Sequence, residues 1–113
     1  MQAEILEFIR RRFKSDSNWL DGNCYYFAVI LCERFPIFNI YYAPVAGHFI
    51  AGYNGEFYDW RGKYGESEQI PEGYRCKIVD NNGNIVYEIP VLLSDIEKED
   101  PAWYRIIVRD CVM

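Results

Sequence analysis

The sequence holds one histidine, His48, and its four cysteines (Cys24, Cys32, Cys76 and Cys111) form no Cys-x-x-Cys pair. A mixed zinc site therefore lacks its usual ligand pattern, and neither a metal nor an organic cofactor is expected. Four cysteines are also too few for a disulfide scaffold, so the expectation is a cytoplasmic protein with reduced thiols. No apolar run approaches the ~20 residues a membrane helix needs. The start MQAEILEFIRRR is amphipathic and lacks the order of a signal peptide. Positive charge is scarce: 12 basic against 17 acidic residues leave a net charge of −5 and a pI near 4.8. That balance speaks against general nucleic-acid binding, which neutralises phosphates with a basic surface. The run Arg10-Arg11-Arg12 reads as a solvated helix face. There is no internal repeat and no low-complexity segment.

What the chain does have is apolar and aromatic material. Half of its 113 residues are hydrophobic and 18% are aromatic, enough for a packed interior in one domain spanning residues 1–113. Ten tyrosines and three tryptophans exceed what a core needs. They fit either a groove or interface, or strands, where tyrosine is common.

Residues 3–14 read as a helix, with Ile5, Leu6, Ile9 and Phe13 in one stripe. A second helix is expected from Cys24 to about Phe35, stopped by Pro36 and capped by Asp21 or Asn23. Cys24, Phe27, Ala28, Leu31 and Cys32 recur at helical spacing, and Tyr26, Val29 and Ile30 make the other sides apolar, as in a buried central helix. Strands follow at 40–43, 48–53 and 56–60, the last two joined by the hairpin signal Asn54-Gly55. A second hairpin is expected from 74–79 and 84–89. Ser94 with Glu97 resembles a capping box for a short helix at 94–99. Residues 103–109 look like a final strand, and 61–73 like loop. The plan is α+β: N-terminal helices, one bearing Cys24, packed on an antiparallel sheet.

Three residues carry candidate chemistry. Cys24 falls in the first turn of its helix, where unsatisfied N–H groups and the helix dipole favour a thiolate. Gly22 allows close approach of a substrate, and the Cys24 N–H is a candidate oxyanion donor. Taken alone, Cys24 is better read as a buried helical cysteine. His48 follows Gly47 at the head of a strand, and Asp59 sits in the partner strand between Tyr58 and Trp60. Considered alone, His48 is better read as a structural or surface histidine, and Asp59 has the bland reading of an edge-strand acid facing water. If Asn54-Gly55 is a two-residue turn, Tyr53 pairs with Glu56, and paired residue numbers sum to 109. His48 and Asp59 then become diagonal neighbours on one face, about 7–8 Å apart at the backbone. Asp59 can then orient one imidazole nitrogen while the other serves a thiolate.

In this order and spacing, GNCYYFAVIL resembles the Gly-x-Cys helix start of the papain-like and transglutaminase-like superfamily. GHFIAGYNGEFYDWRG resembles that superfamily's strand pair, in which His opens one strand and Asp ends the next near an aromatic. The resemblance covers about residues 18–62. It implies Cys24 as nucleophile, His48 as general base and acid, and Asp59 as orienting acid. It also implies an amide oxyanion donor six positions before the nucleophile. Asn18 stands there in place of the usual Gln, with Asn23 as a rival. Trp19, Gly22, Gly47 and Trp60 are candidate substrate-groove residues, and the two tryptophans are equally read as core. The implied activity is hydrolysis or acyl transfer at a peptide, isopeptide or side-chain amide, with a protein or peptide as substrate. The alternative is a non-catalytic inhibitor or adaptor on the same frame.

Overall fold

The computed structural model describes residues 2–13 and 23–112. Two helices come first, α1 (Gln2–Phe13) and α2 (Cys24–Arg34). Strands β1 (Asn39–Ala43), β2 (His48–Tyr53), β3 (Glu56–Asp59) and β4 (Gly62–Lys63) follow, then β5 (Glu66–Ile70), β6 (Gly73–Val79), β7 (Ile85–Glu88) and β8 (Val91–Leu92). Helices α3 (Leu93–Glu99) and α4 (Pro101–Val112) close the described chain. The architecture is α+β, with two antiparallel sheets of strand order β4-β3-β2-β1-β8 and β5-β6-β7.

The large sheet has a different neighbour on each face. On one side Phe49, Ala51 and Tyr58 pack with Ile5, Ile9 and Phe13 of α1 and Phe27, Ala28 and Leu31 of α2. On the other side Ala43, Ile50 and Phe57 meet Tyr64 and Cys76 of the small-sheet region. Strand β2 is therefore buried from His48 through Gly52 on both faces, which explains its nearly continuous apolar sequence. Alternation survives in direction alone: odd residues face the helices and even residues face the small sheet.

The first hairpin follows its turn signal. Asn54 and Gly55 both have positive φ, 53° and 82°, as a type I′ turn requires. Tyr53 pairs with Glu56, Gly52 with Phe57 and Ala51 with Tyr58, the register expected from the sequence. The second hairpin forms across Val79 and Ile85. Its loop is organised by Asp80, whose carboxylate accepts the N–H groups of Asn82 and Asn84 at 2.9 and 2.8 Å.

Four expectations need correction. Residues 103–109 lie in a helix and not in a strand. Pro101 supplies a preset φ at the first helical position, and the Asp100 side chain accepts the Trp103 N–H at 3.2 Å as an N-cap. Trp103, Tyr104, Ile107 and Val108 then reach the core at helical spacing. The 61–73 segment contains β4 and β5 instead of being loop. Strand β5 is polar because it is an edge strand with little burial, held by pairing to β6. Helix α3 starts one residue early, with Leu92 as N-cap and no side-chain cap bond, so Ser94 and Glu97 form no capping box. Finally, α2 is buried on one side only, and Tyr26 is 47% exposed. It lies on the sheet and is not enclosed by it.

Candidate functional site

His48 owes its position to the turn before it. The Gly47 N–H donates to the Ala43 carbonyl at 2.7 Å, and Gly47 takes a φ of 73°, which a glycine adopts without strain. The chain then enters β2 with the imidazole on the small-sheet side. Asp59 ends β3 one residue beyond the last hairpin pair, Ala51 with Tyr58, on the same side. Their atoms meet as the diagonal geometry requires, with His48 Nε2 3.8 Å from Asp59 Oδ2.

Asp59 is held from the other direction by Arg61. The Arg61 backbone N–H donates to Oδ1 at 2.8 Å, and its guanidinium donates twice to Oδ2, at 3.2 and 2.8 Å. The same guanidinium lies 4.6 Å over the Trp60 ring. Trp60 and Tyr64 flank the imidazole edge-on, with ring centroids 5.4 and 5.3 Å away. Both imidazole nitrogens are buried and accept or donate no hydrogen bond among the described residues. Burial drives the His48 pKa below its usual value, and Arg61 adds to this. Asp59, Glu88 and the Ala46 backbone pull the other way without prevailing. At neutral pH the His48–Asp59 contact is thus between a neutral imidazole and a carboxylate. At 3.8 Å it is longer than a hydrogen bond.

A second buried acid, beside Asp59, completes the cluster. Glu88, at the end of β7, is 4% exposed. It accepts the N–H groups of Val45 and Ala46 at 2.8 and 3.2 Å and the Tyr64 hydroxyl. Sequence reasoning missed it, although the signal was the one that drew attention to Asp59: an acid at the end of a β-branched and aromatic strand. A cavity of about 340 Å³ opens beside this cluster, lined by Val45, Ala46, His48, Arg61 and Tyr64. A second cavity of about 230 Å³, beside Asn39, Leu93 and Tyr104, holds none of the candidate residues.

Cys24 opens α2, as expected, and is 2% exposed. It packs in the helical core with Phe27, Phe49 and Ala51. It is also disulfide-bonded, whereas Cys32 and Cys76 are free. The expectation of wholly reduced thiols is corrected at this position, because a cysteine count does not say which sulfurs a fold brings together. Burial pushes the Cys32 and Cys76 thiols up to about 11 each, so neither is an activated nucleophile. The structure brings His48 and Asp59 together on the small-sheet side of β2 and sets Cys24 in the helical layer. Neither imidazole nitrogen is hydrogen-bonded to its sulfur.

The remaining candidates divide by position. Trp60 is buried and belongs to the helical core while also closing the edge of the His48 site. Asn23 is the N-cap residue of α2 but makes no side-chain cap bond. Gly47 lies in the exposed turn ahead of His48. Asn18, Trp19, Asp21 and Gly22 lie outside the described residues.

The sequence matches the model of one protein family, described as Phage YunG-like protein, over residues 5–98. The chain belongs to the Phage YunG-like protein family. The matched span takes in Cys24, His48, Asp59 and Glu88 and ends within α3, so α4 lies outside the matched residues. No curated protein and no solved structure matches the chain.

Proposed function

We propose that this Phage YunG-like protein is a thiol-dependent hydrolase or acyl transferase built on a papain-like plan. It would act on a peptide, isopeptide or side-chain amide. The observation that carries this reading is the buried His48–Asp59 pair, in which a buried imidazole lies 3.8 Å from a carboxylate. A neutral imidazole is the form that accepts a proton. Cys24, with its sulfur reduced, is the nucleophile at the head of α2. The described disulfide form, with Cys24 in the helical layer, is then a resting state. An external dithiol must first reduce it by thiol–disulfide exchange, leaving that dithiol as a disulfide, and the helical layer must rearrange before reaction.

In the reactive form His48 takes the Cys24 thiol proton as the sulfur bonds to the substrate carbonyl carbon. The Cys24 backbone N–H donates to the developing oxyanion. Collapse of that intermediate breaks the C–N bond, and His48 returns the proton to the departing amine. Water or a second amine then releases the acyl group from the sulfur, with His48 again moving the proton. Asp59, fixed by Arg61, orients the imidazole.

A second reading is favoured by Cys24 itself. A disulfide-bonded, core-packed cysteine suits a protein-binding module that keeps the frame without the chemistry. Val79, Ile85, Tyr87 and Ile89 are exposed apolar residues on the small-sheet side, and such residues suit a contact surface.

Alkylation separates the two readings. The protein is reduced with dithiothreitol, then labelled with iodoacetamide across a pH series, in wild type and His48→Ala, and each cysteine is followed by mass spectrometry. Catalysis predicts fast Cys24 labelling well below pH ~8.5, the range of a free thiol, which slows sharply without His48. Slow labelling that is indifferent to His48 rejects it and leaves the binding module.

A further inference from the structure

The His48 site is not made by the hairpin alone, because its surroundings are tied to the second sheet through one carboxylate. Glu88 is contributed by β7, yet each group that donates to it belongs to a segment touching His48. Val45 and Ala46 form the turn that leads directly into His48, and Tyr64 packs edge-on against the imidazole. A carboxylate buried this deeply is costly unless its oxygens are satisfied. Here one oxygen takes both turn amides and the other takes the Tyr64 hydroxyl. An apolar residue at this place would also fill the space, but would leave two amides and a phenol without acceptors.

We propose that Glu88 is a positioning residue of the site: it clamps the 44–47 turn and Tyr64 together and so seats His48 against Asp59. The clamp acts through its two partners and makes no hydrogen bond to the imidazole. The charged or titratable groups facing His48 are Asp59 from β3, Arg61 from the turn after it, Tyr64 after β4 and Glu88 from β7. Of these, only Asp59 is given a role by the resemblance seen in the sequence. The proposal gains its catalytic meaning from the proposed function, but the clamp is measurable without any turnover.

The single histidine makes the test direct. The pKa and tautomer of His48 are followed by NMR in wild type, Glu88→Gln and Tyr64→Phe. Exchange of the Val45 and Ala46 amides is measured in the same samples. Glu88→Gln keeps the shape and removes the charge. The expected result is a His48 pKa lower by about 0.5 or more, a changed tautomer balance, and faster exchange at Val45 and Ala46. Tyr64→Phe keeps the ring and removes one donor, and is expected to speed exchange at the same two amides. It also serves as the decisive variant if Glu88→Gln does not fold. A core variant on the helical side, Ile96→Val, controls for general loosening and should leave His48 unchanged. Unaltered His48 titration and unaltered exchange in the folded variants overturn the proposal. A positive clamp result with unreactive Cys24 would retain the clamp and reject catalysis. Reactive Cys24 with an indifferent Glu88 would do the reverse.

Discussion

A buried imidazole carries a proton-linkage signature that an exposed one does not. Burial holds the His48 pKa below its ordinary value, while the unfolded chain binds that proton near pH ~6.5. The unfolded state therefore takes up the proton first as the pH falls. Stability contributed by the neutral ring is complete above about pH 6.5 and is lost between that value and the lower folded pKa. Urea unfolding midpoints measured across this window should fall with pH in wild type and fall less steeply in His48→Gln. Equal slopes would mean that the ring is solvated. At this scale the sequence disclosed His48 and Asp59, because a hairpin with a two-residue turn fixes which residues share a face. Glu88 and Tyr64 were hidden from it, since they reach His48 through the packing of separate sheets, and no local spacing encodes that distance. Arg61 is intermediate: it follows Asp59 by two residues, and its bonds to that carboxylate are local once the turn is known.

Elements were legible where local chemistry and burial agreed. The β2–β3 hairpin is the clearest case, and it also supports a prediction. Gly55 has a φ of 82°, and a Cβ built there would collide with the Tyr74 ring. Gly55→Ala should thus cost about 1 kcal/mol or more, read as a lowered denaturation midpoint. A neutral result would show that the turn can change type without disturbing the hairpin. The α4 helix misled in the opposite sense. Its run of Trp103, Tyr104, Ile106, Ile107 and Val108 has strand-like composition, and the helix is set instead by Asp100, Pro101 and docking against α2 and α3. Strand β5 was obscured because Glu66, Glu68 and Gln69 show no apolar alternation. It is stabilised by its ladder to β6, helped by the Glu68–Arg75 pair at 2.7 Å.

For the whole molecule, the α+β class and the helices-then-sheet order were readable from the change in periodicity. The division into two sheets was not, because hairpins announce their own pairing and say nothing about which sheet they join. The cysteine pattern also misled at this scale. A covalent link at Cys24 ties the start of α2 to another part of the chain and removes conformations from the unfolded ensemble. Thermal melts with and without dithiothreitol should therefore differ, with reduction lowering stability by roughly 2–4 kcal/mol. Coincident melts, together with four titratable thiols in the unreduced protein, would exclude the bond. No described helix is long and apolar enough to cross a membrane.

Strand β2 is walled on both faces, and this has an evolutionary consequence. A bulkier side chain at Phe49 cannot expand into water, and neither can one at Ile50, so each change must be answered by a partner in the adjoining layer. Substitutions along this strand should therefore be inherited in pairs: those at Phe49 with positions in α2, those at Ile50 with positions around Tyr64 and Cys76. Two lineages of substitution would run past each other on a single strand, separated only by the thickness of its backbone.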